Sequence, residues 1–177
     1  MTRAKQIKYI VIHTQAGNGT LQAMQAYWKS IGWKSPGYAR WIDYDGTVHN
    51  LAQFNNPTNG VQGFNSQCIH ISYRGGIEIV DGKIKGKDTR TQAQKNAILN
   101  CIIEALNWLE QNGNDLQDVM VLGHYQFSTD KNQNGIIEFW ERIKECPCYD
   151  AYKEYFDLML GKNPDYKKLK LPKNRKK

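Results

Sequence analysis

A chain of 177 residues, 40% hydrophobic and 11% aromatic, is long enough to bury one core and fits a single domain. The formal net charge of +7 is concentrated at one end: residues 167–177 hold seven of the 24 Lys and Arg and no acidic residue, so the remaining 17 basic residues balance the 17 acidic ones. The basic character is therefore a tail and not a face of the fold, which excludes a broad electrostatic surface for nucleic acid. No stretch approaches transmembrane length, and the apolar run Tyr9-Ile10-Val11-Ile12 is too short for a secretory h-region. The chain is expected to be made in the cytoplasm, and its four Cys to be thiols or ligands, not a disulfide framework.

Residues 8–13 form a nearly continuous apolar run, rich in β-branched side chains and ending in His13, as a strand buried on both faces does. Thr20 is placed to cap a helix with Leu21, Met24, Tyr27, Trp28 and Ile31 at helical spacing, and Gly32 to close it. Residues 37–44 and 47–51 flank Asp45-Gly46, which predicts a hairpin with a tight two-residue turn. Residues 52–66 read as a loop. Residues 68–73 alternate as a strand, and the segment beyond them is broken by Gly75-Gly76 and Asp81-Gly82. Thr91 and Gln94 suggest a capping box for a long amphipathic helix that carries Ile98, Cys101, Ile102, Ala105, Leu106 and Leu109 and ends near Gly113. Residues 118–124 are a second buried-type strand, again ending in a His. A short helix is expected over 138–145 and a longer one over 150–160. The order β-α-β-β-β-α-β-α predicts an α/β domain over 1–160, a central mixed sheet with helices on both faces, followed by a basic tail at 161–177.

Ligands gather at the carboxyl ends of parallel strands. Were the strands ending in His13 and His124 parallel neighbours, the two imidazoles would meet, and Cys146 follows across a loop able to fold back. Two imidazoles and a thiolate suit tetrahedral zinc with one position left for water, the catalytic pattern. A single His at a strand end is more often a hydrogen-bonded surface residue than a ligand. Spacing alone also leaves His49 and His70, both on strands, in contention.

The succession Ile10-Val11-Ile12-His13, Gly37-Tyr38 ahead of the Asp-Gly hairpin, Gly63-Phe64-Asn65-Ser66, Leu122-Gly123-His124 and Lys144-Glu145-Cys146-Pro147-Cys148-Tyr149-Asp150 resembles the zinc-dependent N-acetylmuramoyl-L-alanine amidases. That family includes phage lysozyme-type enzymes and peptidoglycan recognition proteins. The resemblance spans about residues 7–157, and its closing Lys-x-Cys-Pro segment is the most specific part. It implies zinc on His13, His124 and Cys146, catalytic roles for Tyr38 and Lys144, and a substrate contact at Asn65. The implied reaction is hydrolysis of the amide between muramic acid and L-alanine in peptidoglycan or muropeptides by a monomeric enzyme acting on the bacterial wall after release, as phage or prophage lysins do. The alternative within the family is a module of the same fold that binds peptidoglycan without cutting it.

Asp130, Asn132, Asn134, Gly135 and Glu141 fall at positions 1, 3, 5, 6 and 12 of an EF-hand calcium loop, with Ile136 and Glu138 at positions 7 and 9. Calcium there is expected to pin the loop that carries Lys144 and Cys146. The basic tail is expected to meet an anionic wall polymer or membrane surface; it lacks the interleaved aromatics that would favour nucleic acid.

Overall fold

The computed structural model describes residues 2–161; past Gly161 the expected basic tail lies outside the described residues. The elements are α1 (Arg3–Gln6), β1 (Tyr9–Thr14), α2 (Leu21–Ser30), β2 (Arg40–Ile42), β3 (Val48–Asn50), β4 (Cys68–Tyr73), β5 (Ile77–Val80), β6 (Lys83–Gly86), α3 (Gln92–Gln111), β7 (Met120–Gly123) and α4 (Ala151–Glu154). Single 3-10 turns lie at Asn65–Gln67, His124–Phe127, Phe139–Glu141 and Phe156–Leu158. Among the described residues no helix is long and apolar enough to cross a membrane.

Five strands build one mixed sheet in the order β3-β2-β4-β1-β7. All neighbours are parallel except β2 with β3. The two central strands, β1 and β4, are buried along their whole length, which is why they read as unbroken apolar runs. Alternation along β2 sorts the faces. Arg40 and Ile42 point towards α3, where Arg40 pairs with Glu104 at 2.8 Å, while Trp41 points the other way and packs with Met24 and Trp28 of α2. Helices therefore cover both faces, as expected. On the α3 side Ile98, Ile102 and Leu109 are fully buried against the sheet, each contributing roughly 2 kcal/mol relative to exposure.

Both expected helix starts form. The Thr20 hydroxyl accepts from Ala23 N–H at 3.2 Å. Thr91 and Gln94 make the reciprocal capping box, with both bonds at 3.0 Å. Two turns differ from expectation. The chain reverses between β2 and β3 over residues 43–47, closed by bonds from Gly46 N–H to the Asp43 carbonyl and from Asp43 N–H to the Thr47 carbonyl, and only Gly46 has positive φ. That is a turn followed by one left-handed glycine, not a two-residue turn. The tight two-residue turn lies instead at Asp81-Gly82, both with positive φ, and joins β5 and β6 into an antiparallel hairpin where only breaks were expected. The helix expected over 138–145 is a single 3-10 turn, with Phe139, Trp140 and Ile143 exposed, so no apolar face is buried to sustain more turns. The helix expected over 150–160 is α4 followed by a 3-10 turn.

Arg90 ties the start of α3 to the end of the chain. Its side chain is 2% exposed. It donates to Asp88 and, in a two-pronged pair at 2.8 and 2.9 Å, to Glu154, and its guanidinium lies 3.2 Å from the Tyr149 ring centroid. Desolvation pushes the Asp88 carboxyl up, but the bonds from Arg90 outweigh it and hold it below its ordinary value. A depressed carboxylate contributes stability above its unfolded pKa of about 3.9 and loses it as pH falls through the folded value. Arg90→Ala is expected to cost about 3 kcal/mol in urea denaturation at pH 7, with Lys restoring only part and the deficit shrinking in acid. An unchanged urea midpoint would overturn this role.

Candidate active site

The register of the sheet brings the two strand-end imidazoles together. Ile12 lies opposite Gly123, so the next residues, His13 and His124, sit side by side, with ring centroids 4.7 Å apart. His13 is the penultimate residue of β1, and His124 opens the 3-10 turn just after β7. Gly123 is required here, because a Cβ would fall 2.5 Å from the Pro147 ring.

Cys146 arrives from the returning loop. Tyr125 N–H donates to the Cys146 carbonyl at 2.9 Å, and the Tyr73 hydroxyl donates to the Pro147 carbonyl at 2.7 Å. The sulfur is fixed by Thr14 N–H, which donates to it at 3.1 Å. One donor atom each from His13, His124 and Cys146 lies within 4.8 Å of the others, the sole group of its kind among the described residues. These three expected ligands therefore converge.

Electrostatics suit a cation. Desolvation holds the His13 imidazole far below its ordinary pKa, with His124, His70 and Lys144 adding to the effect. His124 is lowered to about 4 by burial and then by Lys144. Both rings are thus neutral at pH 7 and carry lone pairs. Burial pushes the Cys146 thiol up to about 12, against the Thr14 N–H, which favours the thiolate.

The cleft above these residues has a volume of about 380 Å³. Trp28 and Trp33, stacked at 6.3 Å, form one wall, and Ile77 and Ile84 of the β5–β6 hairpin line the cleft as well. Tyr38 lies within it, its ring 5.1 Å from that of His13, and Lys144 stands exposed at the rim. Desolvation and then the Cys146 sulfur raise the Tyr38 phenol above its ordinary pKa, with the Ser72 hydroxyl opposing, so it keeps its proton.

Asn65 is not among the residues that line this cleft. Its side-chain oxygen accepts from Val61 N–H at 2.8 Å and meets His70 Nε2 at 3.1 Å. His70 in turn reaches His13, a connection no spacing in the sequence signals. His49 packs on Trp41 in edge strand β3, away from the cleft lining.

The 130–141 loop closes on itself. Asp130 accepts from Gly135 N–H, Asn132 from Asn134 N–H, and Asn134 from Ile136 N–H. Glu138 takes the side-chain amides of Asn132 and Asn134. Glu141, 2% exposed, accepts from the N–H groups of Lys131, Asn132 and Glu138. The side-chain oxygens expected to meet calcium are thus engaged by the loop's own donors, apart from the second oxygen of Asp130, which is buried without a partner. The structure gives calcium no support beyond the sequence pattern. The closure expected of calcium is made instead by the loop's own hydrogen bonds.

A sequence model of the family described as N-acetylmuramoyl-L-alanine amidase matches residues 3–147. An uncharacterized protein of Haemophilus influenzae is 31% identical over 108 residues, covering 61% of this chain and 84% of that protein. Among solved structures, N-acetylmuramoyl-L-alanine amidase LysC from Clostridium intestinale is 20% identical with a TM-score of 0.58, over 86% of this chain and 83% of that one. PGRP-SA of Apis mellifera is 18% identical with a TM-score of 0.58, over 85% and 81%. At such identities the two structures speak for the fold.

If Glu141 holds the clasp, Glu141→Gln should speed hydrogen exchange at the amides of Lys131, Asn132 and Glu138 while the β1 and β4 amides stay protected. Unchanged exchange at all three would show that the loop is closed by something else.

Proposed function

The chain belongs to the N-acetylmuramoyl-L-alanine amidase family, and on that premise we propose that it is a zinc-dependent hydrolase of the amide between N-acetylmuramic acid and L-alanine in peptidoglycan. The observation that carries the reading is the convergence of His13, His124 and Cys146 beneath a cleft lined by Tyr38 and Lys144. The donors fit zinc: two uncharged imidazoles and one sulfur, all within 4.8 Å, leave a coordination position for a reactant. When bound, zinc supplies Lewis acidity towards a carbonyl and a means of ionising water near neutral pH.

The remaining steps belong to the chain's own groups. The Trp28–Trp33 wall offers stacking surface, and the isoleucines of the hairpin offer apolar contact, so a muropeptide is held while water is displaced around it. Tyr38, which keeps its proton, donates a hydrogen bond to oxygen at the reacting carbon. The Lys144 ammonium, at the same rim, stabilises the oxyanion as the carbonyl becomes tetrahedral. Thr14 N–H holds the Cys146 sulfur as an acceptor and keeps it aimed at the two imidazoles. Cleavage of the intact wall polymer, as a phage or prophage lysin performs it, extends the proposal.

Zinc-loaded protein incubated with muropeptides should release free stem peptide, a chelator should stop the release, and suspended cell walls should clear. Lys144→Ala should lower kcat by roughly 10²–10³-fold. Peptide binding without release by zinc-loaded protein would leave the non-cutting module as the correct reading.

Because both imidazoles are already neutral and the thiol is protonated, zinc uptake at pH 7 should release about one proton, drawn from Cys146. Calorimetry in buffers of differing ionisation enthalpy reads that number. Release of no proton, or a Cys146→Ser variant with wild-type zinc affinity, would remove Cys146 from the ligand set.

A further inference from the structure

A chain of polar groups, part-buried at Asn65 and fully buried at His70, runs from the 52–67 loop to the candidate metal site. Val61 N–H donates to the side-chain oxygen of Asn65 at 2.8 Å, the same oxygen meets His70 Nε2 at 3.1 Å, and His70 Nδ1 meets His13 Nε2 at 3.0 Å. His70 is wholly buried and His13 1% exposed. The direction of every proton in this relay is set from its far end. A backbone N–H can only donate, so the Asn65 atom facing it is the oxygen. An oxygen facing His70 Nε2 requires that nitrogen to carry the proton. In a neutral His70 the other nitrogen, Nδ1, is then bare and must accept. His13 Nε2 must therefore be the donor, and the one lone pair left on the His13 ring is on Nδ1.

The opposite polarity needs a doubly protonated His70. That would place a cation in a fully buried pocket whose polar neighbours are a neutral amide and a second imidazole. Packing fixes the ring as well as its protons. Gly60 backs onto it so closely that a Cβ there would fall 2.3 Å from His70 Cγ. The parallel register supplies the rest: His70 lies opposite Val11, on the same face of the sheet as His13 two residues on.

We propose that His70 is a positioning residue for the metal site, acting with Asn65 to hold His13 in the Nε2–H tautomer so that Nδ1 is its ligand atom. This rests on the reading of His13 as a zinc ligand and goes beyond it. It assigns Asn65, which the sequence placed at the substrate, to the support of a ligand.

Two measurements on the full-length protein test it. In metal-free protein with ¹⁵N-labelled histidine, near pH 7, long-range ¹H–¹⁵N spectra should show His13 with a proton-bearing Nε2 and a bare Nδ1, and His70 with a proton-bearing Nε2. A His13 protonated on Nδ1 overturns the proposal. In competition with a chromophoric chelator, His70→Leu should bind zinc roughly 10–100-fold more weakly. His70→Asn, whose side-chain oxygen can replace Nδ1 as an acceptor, should recover most of the loss. Wild-type affinity in the Leu variant, or equal losses in both variants, would reduce His70 to packing and sink the idea. Should the Leu variant fail to fold, the spectra of the wild type still decide. Should wild-type protein bind no zinc, the proposed function fails while the tautomer result stands on its own.

Discussion

The parallel pairing of β1 with β7 is the constraint on which the site depends. A shift of one residue in that register would move His124 away from His13 and turn its side chain to the opposite face. The register is protected by burial: the facing residues Ile10, Val11, Val121 and Leu122 are fully excluded from solvent, so slippage would expose or misplace apolar groups along two strands at once. The same burial has an electrostatic effect. It keeps both imidazoles uncharged, so two lone pairs and a thiol wait in a place where three charges would be costly.

The third member of the site comes from a segment with almost no regular structure, and its precision has to be supplied by separate contacts. The polypeptide between His124 and Cys146 is pinned at both ends of its excursion. Tyr125 N–H meets the Cys146 carbonyl, and Ile143 N–H meets the Ser128 hydroxyl at 3.0 Å. Beyond Cys146, Tyr73 takes hold of Pro147, and Arg90 closes over Tyr149. The clasp of residues 130–141 occupies the interior of the excursion, where Glu141 gathers three N–H groups that no strand or helix satisfies.

Much of this was legible in the sequence where one residue type answers one local demand. The strand ends at His13 and His124, the caps at Thr20 and Thr91, and the order of elements follow from periodicity and short-range bonding. The hairpin of β5 and β6 was not legible, because Ile79 and Ile84 leave much of their side chains in solvent and the two strands lack the buried face that marks a strand in sequence. The turn at Asp45-Gly46 was misjudged in length because one left-handed residue, not two, is needed there. His70 and Asn65 were beyond reach for a different reason. Their roles depend on which strand lies beside which and in what register, a tertiary fact that no local pattern encodes.

Asn65 is not part of the cleft lining; it meets His70, which carries the contact on to His13. The cleft walls are contributed by α2, the segment after it and the β5–β6 hairpin, which forms a two-stranded sheet of its own. The floor and its support are contributed by β1, β4, the end of β7 and the 52–67 loop, which also lends Asn59 and Gly60 to the cleft lining. Trp33, Ile77 and Ile84 of the walls take no part in the hydrogen bonds that link Val61, Asn65, His70 and His13. His70 sits in a pocket too tight for a Cβ on Gly60 and is hydrogen-bonded to His13. The cleft and the His13–His70 contact meet at Gly60, which lines the cleft and backs onto the His70 ring, so the 52–67 loop couples the two.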